Sequence, residues 1–457
     1  MNQTVSDMTK ADRQFVLHPY TNLNQHQDSG PFTITRGEGI YVWDDQGNKF
    51  IEGMAGLWCT SLGFSEDRLI DAATAQFKKL PYSHLFTHRS TEPAIELSER
   101  LVDIAPEGIA RAYLVNSGSE AVDTAIKMVW FYNNALERPR KKRIISRLRA
   151  YHGVTIAAGS LTALPYAQDG FDLPAIDVLN CETPHYYRYA KVGESEESFS
   201  TRLANELEQQ IIAEDPDTIG GFIAEPVMGA GGVLVPPVGY FDKIQAVLKK
   251  YNILMIADEV ICGFGRTGEM WGCDTYNIKP DLITCAKQLS SAYLPIGAVL
   301  LTDRVYQGFV SGSDRLGMFG TGNTYGGHPV ASAVALETLN IYRNDRIIEH
   351  VQSISVPFQK RLAALADHPL VGQSRGVGLI GAIEIVKDKS SKEQFPVANK
   401  TAMQIVNAAR QHGIILRALP GDGVGFCPPL IITKPEINQL FDAVGSALDD
   451  VYAILAG

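Results

Sequence analysis

Short apolar runs and longer stretches of helical spacing take turns along the middle of this chain. Residues 112–116, 143–147, 219–224, 253–257, 282–286 and 298–301 read as strands. Residues 120–133, 198–213 and 240–250 lie between them and read as helices. The strand runs lack strict alternation, which fits burial on both faces. Strands alternating with helices predict an α/β fold whose mostly parallel sheet is covered by helices. Upstream, 69–79 and 93–104 have helical spacing, and 39–52 reads as a hairpin that turns over 45–48. Downstream, a long helix over 329–342 leads to a helix near 351–366, a strand near 379–386, a helix near 401–411 and a terminal helix near 434–455. This predicts a large domain over 61–340 and a smaller α+β domain over 341–457, joined by the arm and hairpin of 1–60. The first fifteen or so residues read as a polar arm.

The 457 residues are enough for a large core and more than one domain. A net charge of −10 argues against nucleic acid as a partner. The basic run at 138–143 reads as a solvated helix end. Six cysteines without a CxxC pair predict reduced thiols and a cytoplasmic protein. The polar start predicts no signal peptide, and the lack of a run of about 18 apolar residues predicts no membrane span.

Several motifs mislead. Residues 376–381 match GxGxxG, but 382–386 alternate like a strand where a dinucleotide site needs a helix. Residues 372–376 match GxSxG, again without the following helix. There is no GxxxxGK[ST], no HExxH and no clustered set of metal ligands, so no metal is expected.

The chemistry gathers at strand ends. Lys287 follows the apolar run 281–286, and Asp258 closes another at 252–257. A lysine and an aspartate so placed suit the two ends of pyridoxal phosphate (PLP). The lysine holds the aldehyde covalently as a Schiff base, and the aspartate holds the pyridinium nitrogen. At ~3 Å and an effective dielectric of ~20 that ion pair gains roughly 5–6 kcal/mol before desolvation. Each alternative is bland: a turn-capping aspartate, a surface lysine. The segment Asn116, Ser117, Gly118, Ser119 joins a strand to a helix, where hydroxyls, close backbone approach and the helix dipole suit a phosphate. Taken singly it is also a plain N-cap.

These residues, with Glu225-Pro226 in 224–232, Gly265-Arg266-Thr267-Gly268 and Thr324 in 324–329, occur in an order that resembles the class III (ω-) aminotransferases of PLP fold type I. The match spans nearly the whole chain and looks closest to the amine:pyruvate transaminases. The resemblance implies the aspartate aminotransferase-like fold, with a large PLP-binding domain and a smaller α+β domain. It implies Lys287 as the covalent lysine and proton carrier, Asp258 as the pyridinium partner and Glu225 as its acidic neighbour. Val260 and Tyr151 would pack on the ring, with His152 beside them, and Ser117, Gly118 and Ser119 would hold the phosphate. Thr324 would reach the phosphate of the partner subunit, giving a homodimer with shared active sites, alone or paired into a tetramer. The approach to that threonine, 320–323, departs from the family's usual His-Gly-Phe-Thr type.

The resemblance also implies a substrate pocket of Leu57, Trp58, Tyr151, Val154, Ala230 and Ile261, with Phe86 lent by the partner. Arg417 would clamp a keto-acid carboxylate and swing away for an apolar amine. The expected reaction is a ping-pong transfer of an amino group from a primary amine or ω-amino acid to pyruvate, giving a ketone or aldehyde and L-alanine. Nearest alternatives are transaminases of β-alanine, taurine, putrescine or 4-aminobutyrate. A PLP decarboxylase, racemase or aminomutase shares the lysine and aspartate, and a PLP-binding regulator would need an added DNA-binding domain.

Overall fold

The computed structural model describes residues 7–456. Its centre is a seven-stranded sheet. In spatial order the strands are Ile109–Val115, Gly297–Thr302, Leu282–Cys285, Leu254–Asp258, Ile219–Ala224, Arg143–Arg147 and Val178–Cys181. Only Gly297–Thr302 runs antiparallel to its neighbours; the pairings from Leu282–Cys285 to Val178–Cys181 are parallel, as expected. Successive residues face opposite sides, and both sides are covered. Ile223, Leu254, Ile256 and Leu282 pack with Ala125, Ile126 and Val129 of the helix Gly118–Ala135. Phe222, Met255, Ala257 and Ile283 face a larger core that includes Phe241, Ile244 and Leu248 of Tyr240–Lys250. Each such aliphatic side chain contributes about 1.5–3 kcal/mol on burial.

Every parallel strand ends at the same edge, so the residues that follow them share one crevice. In open α/β sheets that edge is where ligands bind.

Two four-stranded sheets flank the centre. One combines Ile34–Glu38, Tyr41–Asp44 and Lys49–Glu52 with Ile414–Ile415, which pairs parallel to Lys49–Glu52. Its hairpin turns where expected: Asp44 Oδ1 accepts from the backbone of Gln46 and Asn48, and Gly47 takes a φ of 82°. The other sheet is antiparallel, in the order Val371–Val377, Ile380–Ile385, Gly423–Phe426, Arg417–Leu419. Residues 376–381 form the turn between its first two strands, so both glycine motifs lie in a hairpin.

The structure contains elements that the sequence did not lead us to expect. Asp303–Leu316 is a helix, and Val371–Val377 and Val178–Cys181 are strands where no element was expected. The polar arm is helical over Asp7–Phe15, followed by a helix at Leu23–Ser29; residues 1–6 of the arm lie outside the described residues. All six cysteines are unpaired. Among the described residues no helix is long and apolar enough to cross a membrane.

Candidate active site

Asp258 is the last residue of its strand and is 3% exposed. Its Oδ2 accepts from His152 Nδ1 at 2.7 Å, and its Oδ1 from Thr284 Oγ1 at 3.1 Å and Val260 N at 3.2 Å. Three donors from three segments fix the carboxylate's orientation. His152 is itself held by its backbone N–H donating to Thr162 Oγ1 at 2.9 Å, while its Nε2 is buried without a partner. Glu225 follows the next strand. Its two oxygens accept from Tyr151 N at 3.1 Å and Gly229 N at 3.0 Å. Burial pushes its pKa up, against the opposing pull of His152 and Arg147.

Lys287 leaves the strand Leu282–Cys285 with a φ of 45°. Left-handed backbone on a residue other than glycine is costly and collects at functional sites. What holds it is the next residue. The Gln288 side chain donates to Ile261 O at 2.7 Å and Gly263 O at 2.9 Å, and accepts from Arg266 Nη2 at 3.2 Å. Among the described residues the Lys287 side chain makes no hydrogen bond or ion pair. Burial lowers its pKa from the ordinary lysine value; the facing Cys59, Asp258 and Glu225 oppose this without cancelling it. A lysine so depressed is a usable nucleophile and proton carrier near neutral pH.

Ser117 caps the helix Gly118–Ala135, its Oγ accepting from Glu120 N at 3.2 Å. Ser119 Oγ accepts from Val154 N at 3.1 Å. A Cβ on Gly118 would sit 3.0 Å from Val260 Cγ1, so glycine keeps the helix's N-terminal amides open beside Val260. An N-terminus of this kind favours an anion.

Ser117, Gly118, Ser119, His152, Glu225, Asp258, Val260 and Lys287 all line one cavity of about 1770 Å³. It also takes in Leu57, Trp58, Tyr151, Val154, Ala230, Ile261 and Arg417. The cavity thus offers an amine without a partner, an oriented carboxylate, an unpartnered imidazole nitrogen and an open helix N-terminus. An aldehyde, a ring nitrogen and a phosphate would each meet a chemical complement here, so the residues present fit pyridoxal phosphate. The Arg417 side chain is half-buried and makes no hydrogen bond among the described residues; Arg410 also lines the cavity.

Two residues expected to serve the partner's site do not line this cavity. Thr324 and Phe86 are exposed and lie together elsewhere: Tyr82 Oη donates to Thr324 O at 3.0 Å, and the Phe86 ring packs on Gly322. Sequence reasoning missed others. Tyr20 reaches over the cavity, its Oη 3.4 Å from Tyr151 Oη and its ring 5.9 Å from that of Tyr166. Phe32, Phe171 and Cys59 line it too. The signal for Tyr20 was an aromatic just past a polar arm, and nothing in linear order ties it to Tyr151.

A family model described as Aminotransferase class-III matches residues 23–448. A gamma aminobutyrate transaminase 1, mitochondrial, of Solanum lycopersicum is 51% identical over 434 residues, covering 95% of this chain and 84% of that protein. The crystal structure of an ω-transaminase from Pseudomonas jessenii in complex with PMP superposes with a TM-score of 0.97 at 51% identity, covering 99% of each chain. A transaminase solved with L-alanine gives a TM-score of 0.91 at 52% identity, covering 93% of this chain and 100% of that one. Class III aminotransferases use pyridoxal phosphate and act on a small amine donor and a keto-acid acceptor. With the strand-end crevice and the likeness to ω-transaminase structures both in place, the chain belongs to the class III aminotransferases of PLP fold type I and is a transaminase.

Proposed function

We propose that this protein moves an amino group from a primary amine, or an ω-amino acid, to pyruvate, releasing a ketone or aldehyde in one half-reaction and L-alanine in the other. When bound, pyridoxal phosphate supplies the carbonyl that accepts the amino group and the ring that withdraws electrons from the substrate carbon. Lys287 holds the cofactor covalently through Nζ. Once the donor amine has displaced it, Nζ would take the proton from the carbon bearing the nitrogen and pass it to the former aldehyde carbon of the cofactor, C4′, and would reverse that transfer in the second half-reaction. Asp258 gives the ring nitrogen its anionic partner, Glu225 lies beside it, and His152 orients Asp258. Tyr151 and Val260 confine the ring, and Ser117, Gly118 and Ser119 present the helix N-terminus to the phosphate.

The observation that carries the substrate reading is the contrast between Arg417, a cation with no protein partner, and the apolar wall of Leu57, Trp58, Val154, Ala230 and Ile261. One wall suits an apolar amine substituent, and one guanidinium suits a carboxylate. Removing Arg417 takes away a hydrogen bond between charges worth about 1.5–3 kcal/mol. Arg417→Ala should therefore raise KM for pyruvate roughly tenfold to 100-fold while leaving the 1-phenylethylamine half-reaction within about threefold. Equal losses in both half-reactions would remove the clamp role.

A second reading, a 4-aminobutyrate transaminase, is favoured by the names of curated relatives 48–51% identical to this chain. A donor panel decides between the two. With pyruvate as acceptor, 1-phenylethylamine should yield acetophenone and L-alanine faster than 4-aminobutyrate, β-alanine, taurine or putrescine yields L-alanine. Turnover of 4-aminobutyrate alone would give the second reading precedence, and no alanine from any donor would end the first.

The proposal includes a homodimer in which Thr324 and Phe86 complete the partner's cavity. It is supported by the exposed aromatic side chains beside Thr324, Tyr82 and Tyr325, and by the absence of Thr324 and Phe86 from the lining of this chain's own cavity. Sedimentation at the 49.9 kDa of a single chain would remove it. A cytoplasmic location is supported by the unpaired thiols; cell fractionation checks it, and recovery in an organelle, as in the relatives named mitochondrial or chloroplastic, would overturn it.

A further inference from the structure

The two helices that open the described chain bury no apolar side chain. Asp7–Phe15 has no buried residue, and the only buried residue of Leu23–Ser29 is His26. Segments without an apolar core need another tie, and a bound metal is a common one. Three side chains converge where the helices meet. Asp12 comes from the first helix, His18 from the connection and His26 from the second. His18 Nε2 lies 3.0 Å from both Asp12 oxygens, and His26 Nε2 lies 2.9 Å from Asp12 Oδ1. The two imidazole rings are 4.2 Å apart. All three donor atoms fall within 4.8 Å of one another. Their spacing in sequence matches no familiar metal motif, so only the fold reveals the cluster.

We propose that Asp12, His18 and His26 bind one divalent cation of the zinc type. Two imidazole nitrogens and one carboxylate are a set that zinc accepts, with water in the fourth position of a tetrahedron. Metal–ligand bonds of about 2.0–2.1 Å put neighbouring ligand atoms roughly 3.3 Å apart. The two separations from Asp12 to the histidines, 2.9–3.0 Å, are hydrogen-bond distances, and the three donor atoms lie within 4.8 Å of one another, so the ion enters as the side chains rearrange around it. Each histidine then presents Nε2 as a lone pair and carries its proton on Nδ1. Arg13 Nη2 donates to Asp28 O at 2.9 Å and already ties the first helix to the second.

The ion would hold more than the arm. Pro19, Tyr20 and Thr21 lie between the histidines and line the active-site cavity. Occupancy therefore fixes the segment that places Tyr20 over Tyr151, independently of which amine the cavity accepts.

The test uses the holoenzyme, treated with a chelator, exchanged into clean buffer and titrated with zinc chloride by calorimetry. One saturable zinc per chain is expected, weakened more than about tenfold in Asp12→Asn and in His26→Gln. Zinc should also slow tryptic cleavage after Lys10 and Arg13 in the unaltered protein and not in these variants. His18→Gln, which changes a more exposed residue, replaces His26→Gln should the latter lose its far-UV spectrum. No saturable zinc, or equal zinc uptake by parent and variants, overturns the proposal and leaves a hydrogen-bonded clamp only.

Discussion

Lys287→Ala should lower transamination at least about 10³-fold and abolish the visible absorbance of the bound cofactor. The argument starts from what the side chain lacks. Among the described residues its amine has no protein partner, so its loss breaks no internal bond and should not unfold the chain. The backbone around it is held by other groups: Gln288 anchors to Ile261 and Gly263, and Ser291 Oγ accepts from Leu62 N. Alanine keeps the same left-handed cost as lysine, so the variant isolates the amine. What disappears is both the covalent hold and the proton carrier. Steady-state rates, absorbance and far-UV dichroism read these separately. Added methylamine should restore part of the rate, because the vacated space accepts a small amine. A variant with parental turnover would end the mechanism.

Asp258→Asn comes second, with kcat expected to fall roughly 10²- to 10³-fold. The pair between a carboxylate and a ring cation is worth about 5–6 kcal/mol gross at short range and an effective dielectric of ~20. Desolvation opposes part of it, so the net effect is smaller than the gross figure implies. Asparagine is nearly the same size and can still accept from Thr284 Oγ1. It does, however, turn an amide donor toward His152 Nδ1, which now donates to the acid. The cofactor should remain bound through the Ser117–Ser119 segment, so dialysis should remove it little faster than from the parent. A kcat within about threefold of the parent would show that no ring cation depends on this acid.

The elements that could be read from the sequence share a simple cause. Ile219–Ala224 and Leu254–Asp258 are buried at every position, so burial wrote an unbroken apolar run. Tyr240–Lys250 and Thr401–Gln411 carry one apolar face each. Elements were missed where contacts far along the chain decide the conformation. The helix Asp303–Leu316 contains Gly308 and Gly312, poor helix formers; a Cβ on either would collide with the Tyr132 or Phe131 ring. Close packing, invisible in the local sequence, explains both glycines and the helix. Val371–Val377 is polar and glycine-rich and is a strand because it pairs with the fully buried Ile380–Ile385. The catalytic candidates were legible because one rule gathers them: strand ends on one edge of a parallel sheet meet. Tyr20 and Tyr166 obey no such rule, since they reach the cavity from the arm and from a short helix.

The backbone at position 287 sets two requirements against each other. A left-handed conformation costs a non-glycine residue roughly 1–2 kcal/mol, and glycine would relieve it. Glycine also has no amine. Evolution, or an engineer seeking heat resistance, therefore finds the simplest local gain in robustness closed at the one position the chemistry cannot give up. Any compensation has to be built elsewhere in the molecule.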